Sequence, residues 1–337
     1  MSLRVLILGI NGFIGSSLLE QALNDKSDWH FIGLDLTSNK ITDFLTHPRV
    51  QFKQGDLNQE ISWIEEKIQD CDVVLPLVAI ATPAIYVKDP LSIFELDFEA
   101  NLRIIRLCVK YKKRVVFPST SEVYGMCTDG EFNEETSNFI LGPISKPRWI
   151  YSCCKQMMDR VIHAYGLRGE LAYTLFRPFN WIGPKLDDPH NSKPGSSRVV
   201  SQFIGNILRG ETIKLVNGGQ QRRSFIDITD GIDALIKIIA NEHGAASQRI
   251  FNIGNPTNDI SISELAKLLL EQVKNYPKYA NMTKSQIQVI SADSYYGKGY
   301  QDVERRVPSI KNAQKYLSWH PKIDIQASLK KILDYYS

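Results

Sequence analysis

Arg4-Val5-Leu6-Ile7-Leu8-Gly9-Ile10-Asn11-Gly12-Phe13-Ile14-Gly15 is the stretch on which the fold turns. A short apolar run passes into a GxxGxxG turn, and a helix pattern follows from Gly15 toward Leu23. Glycines there permit a tight turn and let the backbone approach a pyrophosphate, whose charge the helix N-terminus stabilises. The spacing departs by one residue from GxGxxG, and such a turn can also serve helix packing alone, so its surroundings must decide. Working outward, His30 to Leu34, Val50 to Lys53, Cys71 to Leu77, Arg114 to Phe117 and Leu171 to Phe176 read as further strands, with helical patterns between most of them. Apolar strands bounded by helices signal a parallel sheet buried on both faces. The predicted fold is therefore α/β, a Rossmann-type doubly wound parallel sheet with a smaller, discontinuous substrate-binding lobe.

The lobe is expected where the composition changes. Residues 184 to 197 are rich in Pro, Asp, Asn, Gly and Ser. Phe225 to Ala240 reads as a strand-to-helix return to the main sheet, and Ser261-Ile262-Ser263-Glu264 is a capping box opening a later helix. The dinucleotide-binding domain is assigned to 1–180 and 225–250, the lobe to 181–224 and 251–337.

The chain has 337 residues, 40 Lys+Arg against 37 Asp+Glu, and 43% apolar residues. That balance, without a basic block, argues against nucleic acid and membrane surfaces as partners and against disorder. No apolar run approaches the roughly 18 residues of a spanning helix, and the apolar start lacks a cleavage site after it, so a cytoplasmic protein is expected. Five cysteines (71, 108, 127, 153, 154) lack metal-type spacing and are expected as reduced thiols. Six scattered histidines form no HxxxH pair, and no metal is expected.

Asp35 ends the second strand, twenty residues beyond Gly15, where a carboxylate can bind the adenosine ribose and repel a 2′-phosphate. NAD is thereby favoured over NADP. Asp56, with Leu57 beside it, follows the third strand and can accept from the adenine amino group, although an aspartate there also forms turns. With Gly9, Asn11, Gly12, Phe13, Ile14 and Gly15 these are the candidate cofactor residues.

Tyr151 and Lys155 stand four apart on a predicted helix and share one face. An ammonium beside a phenol favours phenolate, which makes Tyr151 a candidate base for a substrate hydroxyl, with Lys155 its partner and both against the cofactor. Phe117-Pro118-Ser119-Thr120-Ser121-Glu122 follows a strand at the carboxyl edge where open α/β sheets bind ligands. Thr120 or Ser121 can hydrogen-bond the same hydroxyl.

In this order the glycine turn, the aspartate, the hydroxyl cluster and the Tyr/Lys pair resemble the extended short-chain dehydrogenase/reductase superfamily along essentially the whole chain. Within it the sequence is most similar to the UDP-glucuronate oxidative decarboxylases, the dehydrogenase half of bifunctional polymyxin-resistance proteins. The carrying segments are Pro76 to Pro83, Pro118 to Met126, Lys146 to Tyr151, Arg177 to Gly183 and Ser294 to Glu304. The formyltransferase domain fused to those relatives has no counterpart in these residues, so only the dehydrogenase half is implied.

The resemblance implies NAD-dependent oxidation of UDP-glucuronate at C4, then loss of CO2, giving UDP-4-keto-pentose and NADH. It assigns Glu122 and Arg306 to decarboxylation beside Thr120, Ser121, Tyr151 and Lys155. A C4 ketone is β to the C6 carboxylate; Arg306 would hold that carboxylate or donate a proton, and Glu122 would shuttle protons at C5. Ala81, Tyr86, Arg148, Asn180, Tyr300 and the stretch from Lys214 to Arg223 are implied around the UDP-sugar. Lys214, Arg223 and Arg198 can offset the diphosphate charge. A homodimer paired through the helices around Leu91 to Lys110 and Tyr151 to Tyr165 is implied too, as is a place in lipid A modification.

Three rivals stand beside this reading: a UDP-xylose synthase, which returns the electrons to the ketone; a UDP-apiose/xylose synthase, disfavoured by Ala81 and Ser121 where apiose-forming members carry cysteines; and an NAD-binding sensor without turnover, disfavoured by the intact Tyr/Lys pair.

Overall fold

The computed structural model describes residues 2–25, 28–192, 197–277, 279, 286–296 and 301–336. The first half runs β1 (Arg4–Leu8), α1 (Phe13–Asn24), β2 (His30–Asp35), β3 (Val50–Gln54), α2 (Ile61–Asp70), β4 (Val73–Pro76), α3 (Pro83–Lys88), α4 (Pro90–Ile93), a π-wound stretch (Phe94–Ala100), α5 (Asn101–Lys110), β5 (Arg114–Pro118), α6 (Trp149–Leu167) and β6 (Tyr173–Pro178). The second half runs β7 (Trp181–Ile182), α7 (Val199–Leu208), β8 (Ile213–Val216), β9 (Arg222–Ser224), β10 (Ile226–Asp227), α8 (Ile228–Ala240) and β11 (Arg249–Ile253). It ends with β12 (Asp259–Ser261), α9 (Ile262–Val273), β13 (Ile287–Ile290), α10 (Ala292–Tyr296), β14 (Arg305–Arg306), α11 (Lys311–Leu317) and α12 (Ile325–Tyr336).

Among the described residues the central sheet has seven strands in the order β11-β6-β5-β4-β1-β2-β3, all parallel. Its residues alternate between two apolar layers, as a strand's period of two requires. Val5, Ile7, Val73, Leu75 and Phe176 pack with α1, α8 and α11, while Leu6, Leu8, Val74, Val115 and Leu175 pack with α2, α5 and α6. Each fully buried Val, Leu or Ile stabilises this arrangement by about 1.5–3 kcal/mol. The chain reverses direction across the sheet between β1 and β4, and there, at the carboxyl ends, a crevice opens.

The predicted return at Phe225 needs correction. Ile226–Asp227 pairs with Trp181–Ile182 in a separate two-stranded ribbon, and Asp227 caps α8 by accepting from the Thr229 N–H at 2.9 Å. The strand that rejoins the sheet is β11, in parallel register with β6, so a boundary at 250 falls inside a strand. A third apolar core, built from α7, β8, α9 and α12, forms the lobe over the crevice. The capping box at α9 is present: Ser261 Oγ accepts from the Glu264 N–H and Glu264 accepts from the Ser261 N–H. No helix among the described residues is long and apolar enough to cross a membrane.

Candidate active site

The glycine turn is closed by its own backbone. Gly9 has φ +91° and donates to the Leu34 carbonyl, and Gly12 donates back to the Gly9 carbonyl. A Cβ on Gly15 would lie 2.6 Å from the Gly9 carbonyl oxygen and 2.7 Å from that of Ile10, so α1 can sit against the turn only through a glycine. Asp35 reaches the same turn from β2, where its carboxylate accepts from the Asn11 N–H at 2.9 Å. Burial pushes the Asp35 carboxyl up from its ordinary value, and backbone N–H groups of Asn11, Thr37 and Leu36 pull part of the way back. The Asn11 side chain fastens the loop beyond β2 by donating to Thr37 and Asn39 and accepting from the Lys40 N–H. Asp56 caps the Asn58 N–H at 2.8 Å, the turn-forming arrangement, with Leu57 buried beside it. A tight glycine turn, an exposed helix N-terminus and a carboxylate at the next strand's end fit a dinucleotide.

Beyond this turn the crevice is lined by Phe13, Ile14, Ala81, Tyr86, Thr120, Ser121, Glu122, Tyr151, Asn180, Arg198, Lys214, Arg223, Asp302 and Arg306. These sequence-predicted residues, drawn from widely separated segments, thus share one cavity. Lys155 lies behind Tyr151, 1% exposed, with its ammonium donating to the Pro118 carbonyl at 3.0 Å and resting over the Phe117 ring. Burial raises the Tyr151 phenol well above its ordinary value, Asp97 and Glu122 add to the rise, and a hydrogen bond with the Thr120 hydroxyl opposes it. Burial likewise lowers the Lys155 ammonium, against Asp97 and Asp159, which raise it. Tyr86 stacks on Tyr151, with centroids 4.8 Å apart and planes 7° from parallel.

Glu122 sits between two guanidinium groups. Arg306 of β14 reaches its Oε1 and Arg148, at the start of α6, reaches its Oε2, each at 2.5 Å. Burial pushes the Glu122 carboxyl up, but Arg148, Arg306 and more distant Arg223 outweigh it and hold it down to about 2. Arg306 also lies 3.5 Å from Ser121 Oγ. Arg148 is 1% exposed, stacked on Trp149 and paired with Glu122.

Arg223 and Arg198 are anchored. Arg223 donates to Asp302, to the Val303 carbonyl and to the Arg222 carbonyl, and Arg198 pairs with Asp187 at the crevice mouth. Lys214 projects from β8, exposed. Asn180 adopts φ +43° and donates to the Ser224 carbonyl, joining β6 to the lobe. Tyr300 lies outside the described residues. Sequence reasoning missed Asp302, although it lay in a quoted segment, and Asp97, whose signal was an acidic residue on an otherwise apolar helix face, four positions before Asn101.

Comparison with known proteins bears on the family and the fold. The chain is similar to the PbgP3 protein of Burkholderia pseudomallei, at 50% identity and TM-score 0.90 over 100% of this chain and 96% of that one. It also superposes on UDP-glucuronic acid 4-epimerase of Bacillus cereus, solved with UDP-glucuronic acid and NAD (22% identity, TM-score 0.80, 98% of each chain). The dTDP-glucose 4,6-dehydratase DesIV of Streptomyces venezuelae shares the fold as well (21% identity, TM-score 0.82, 99% of this chain and 96% of that one). The profile of the NAD dependent epimerase/dehydratase family matches residues 5–254, which span the glycine turn, the Thr120 cluster and the Tyr151/Lys155 pair. On that match the chain belongs to the NAD dependent epimerase/dehydratase family, with NAD as its cofactor.

Proposed function

We propose that this protein oxidises UDP-glucuronate at C4 and decarboxylates the product, yielding UDP-4-keto-pentose, CO2 and NADH. The observation that carries the reading is the Arg148–Glu122–Arg306 array, which lies in the same crevice as the Tyr151 phenol. Oxidation of a neutral sugar hydroxyl needs a base; a second, acidic-plus-basic array fits a substrate that carries its own carboxylate.

NAD, when bound, supplies the oxidant for the C4 carbon. Tyr151, hydrogen-bonded with Thr120, takes the C4 hydroxyl proton, and a cation such as the Lys155 ammonium, 6.0 Å from its ring centre, favours the phenolate. Arg306 is the group to which the C6 carboxylate would pair. Its arrival sets substrate carboxylate and Glu122 in competition for one guanidinium, while Arg148 retains Glu122 from the other side. Once the C4 ketone exists, loss of CO2 leaves an enolate, and C5 takes up one proton, matching the one Tyr151 removed. Glu122, loosened from Arg306, is the carboxyl we assign to that exchange. Arg223, Lys214 and Arg198 line the path suited to the diphosphate.

The test mixes purified protein, NAD and UDP-glucuronate, follows NADH absorbance and identifies the sugar by NMR. Equimolar NADH and ketopentose are expected. Unconsumed UDP-glucuronate overturns the substrate, UDP-xylose without net NADH makes the protein a synthase, and UDP-galacturonate makes it an epimerase.

We also propose a cytoplasmic homodimer whose 4-ketopentose feeds lipid A modification. Exposed Leu91, Phe94 and Met157, on the two helices expected to pair, support the dimer. Light scattering of the purified protein at twice the 38.3 kDa chain mass is the expected result.

A further inference from the structure

Two adjacent strands of the lobe carry four guanidinium groups. β14 is two residues long and runs parallel to β9, with Arg305 beside Arg222 and Arg306 beside Arg223. Side chains of a strand alternate between its faces, so each strand gives one arginine to the crevice and one to the outer face. Arg223 and Arg306 line the crevice. Like charges placed opposite each other on neighbouring strands weaken the pairing, so both faces need anions. On the crevice side Arg223 has Asp302 and Arg306 has Glu122.

On the outer face one carboxylate serves both arginines. Asp259 opens β12, the antiparallel neighbour on the far side of β9, and its register partner is Ser224, so it shares the face of Arg222. A single oxygen, Oδ2, accepts from Arg222 Nε at 3.0 Å and from Arg305 Nε at 3.1 Å. Arg222 also donates to the Asp259 carbonyl at 2.6 Å and to Glu264. The Asp259 side chain is 9% exposed against 38% and 54% for those of Arg222 and Arg305, so the two cations fold over a sheltered anion. This clamp spans the whole width of the three-stranded sheet, from β12 across β9 to β14. β9 has a strand on either side, whereas β14 lies at the edge. Backbone ties flank the clamp: the Arg222 N–H donates to the Glu304 carbonyl, and the Phe132 N–H donates to the Val307 carbonyl.

We propose that Asp259 is a positioning residue: by holding Arg305 on the outer face it fixes β14 on β9, and so sets where Arg306, one residue on and facing the other way, meets Glu122 and the substrate carboxylate. The last step rests on the assignment of Arg306 to that carboxylate. The two cationic parts of the crevice then depend on Asp259 unequally. Arg223 stands on a strand paired on both sides and is tied to Asp302, while Arg306 stands on the edge strand that the clamp secures. Loss of the Asp259 charge reaches the carboxylate end and spares the diphosphate end.

Asp259→Asn keeps the shape and deletes the charge, leaving Arg222 and Arg305 to repel each other. Hydrogen exchange of a peptide covering residues 303–309 is compared in the ligand-free proteins. Calorimetric titrations with UDP and with UDP-glucuronate are run without NAD, so that no turnover intervenes. Exchange at least ~10-fold faster than in the parent is expected. UDP is expected to bind within about twofold of the parent and UDP-glucuronate to weaken about tenfold. Asp259→Glu, which restores the anion, is expected to return both readouts toward the parent. Unchanged exchange in Asp259→Asn overturns the proposal. Arg306→Ala is expected to weaken UDP-glucuronate and not UDP; given that result, an equal loss of both ligands in Asp259→Asn marks a merely structural role and also overturns it. If Arg306→Ala weakens both ligands alike, the carboxylate assignment has failed, and the exchange comparison alone decides the clamp. If Asp259→Asn does not fold, Asp259→Thr carries the same measurements.

Discussion

Glu122 is held by two arginines that approach from different parts of the chain, one at the head of α6 and one in β14. Glu122→Gln therefore does more than remove a proton shuttle, because it leaves two buried guanidinium groups facing an amide. Breaking a buried pair in this way costs about 3 kcal/mol, so the variant is expected to melt lower as well as to lose at least ~100-fold in turnover. Glu122→Gln/Arg148→Met removes one cation with the anion and is expected to recover much of the melting temperature but none of the turnover. Thermal scans with NAD beside the NADH assay check both; recovery of turnover in the double variant would exclude Glu122 from the chemistry. At this scale the sequence was legible where spacing carries meaning. Tyr151 and Lys155 are four apart, and Asp35 stands at a strand end. Pairings across long separations were not: the ion pair of Arg148 with Glu122, 26 residues away in the chain, appears only once the fold is formed.

At the scale of elements, the turn between β1 and α1 tolerates the least change. Gly15→Ala would press a methyl onto two backbone carbonyls, and neither can rotate away as a side chain would. An overpacking cost of about 1–3 kcal/mol is expected, together with an NAD affinity weakened at least ~10-fold as α1 shifts off the turn; calorimetric titration with NAD measures the second. Gly12→Ala meets a single carbonyl at 3.1 Å and is expected to be milder. The strands of the sheet were readable because both faces are apolar and the runs are short. The π-wound stretch was not, because helical periodicity read over Leu91 to Lys110 assumes a constant turn, and the bond from Asn101 to the Val78 carbonyl joins residues far apart in the chain. The return strand was misplaced for a related reason. Ile226 is as strand-like as Ile250, and only the register with β6 distinguishes them.

Across the whole molecule, buried carboxylates pull the pH dependence of stability in opposite directions. The Glu122 carboxyl is held down to about 2, so its contribution is present above the unfolded value near 4.5 and is lost as pH falls toward 2. Glu134 is the reverse. Burial pushes it up to about 7, only partly offset by the Asn252 N–H that it accepts, so folded protein keeps a proton that the unfolded chain releases. Stability from this group therefore falls as pH rises from about 4.5 to 7. Glu134→Gln is expected to raise stability by about 1–3 kcal/mol at pH 8 and to change little at pH 4.5; equal effects at both values in thermal melts would contradict the assignment.

The seventh strand and α11 carry a consequence for biosynthesis. The apolar layer on one face of the sheet includes Ile310, Ala313, Leu317 and Trp319, and Trp319 donates to the Asp230 carbonyl of α8. Asp230 in turn accepts from the Lys322 and Ile323 N–H groups. A nascent chain that has just completed β11 has all seven strands but an uncovered patch on α8. That patch stays open until some seventy further residues clear the ribosome exit tunnel, so a ribosome stalled in this interval would hold a nearly finished domain in the state most attractive to chaperones.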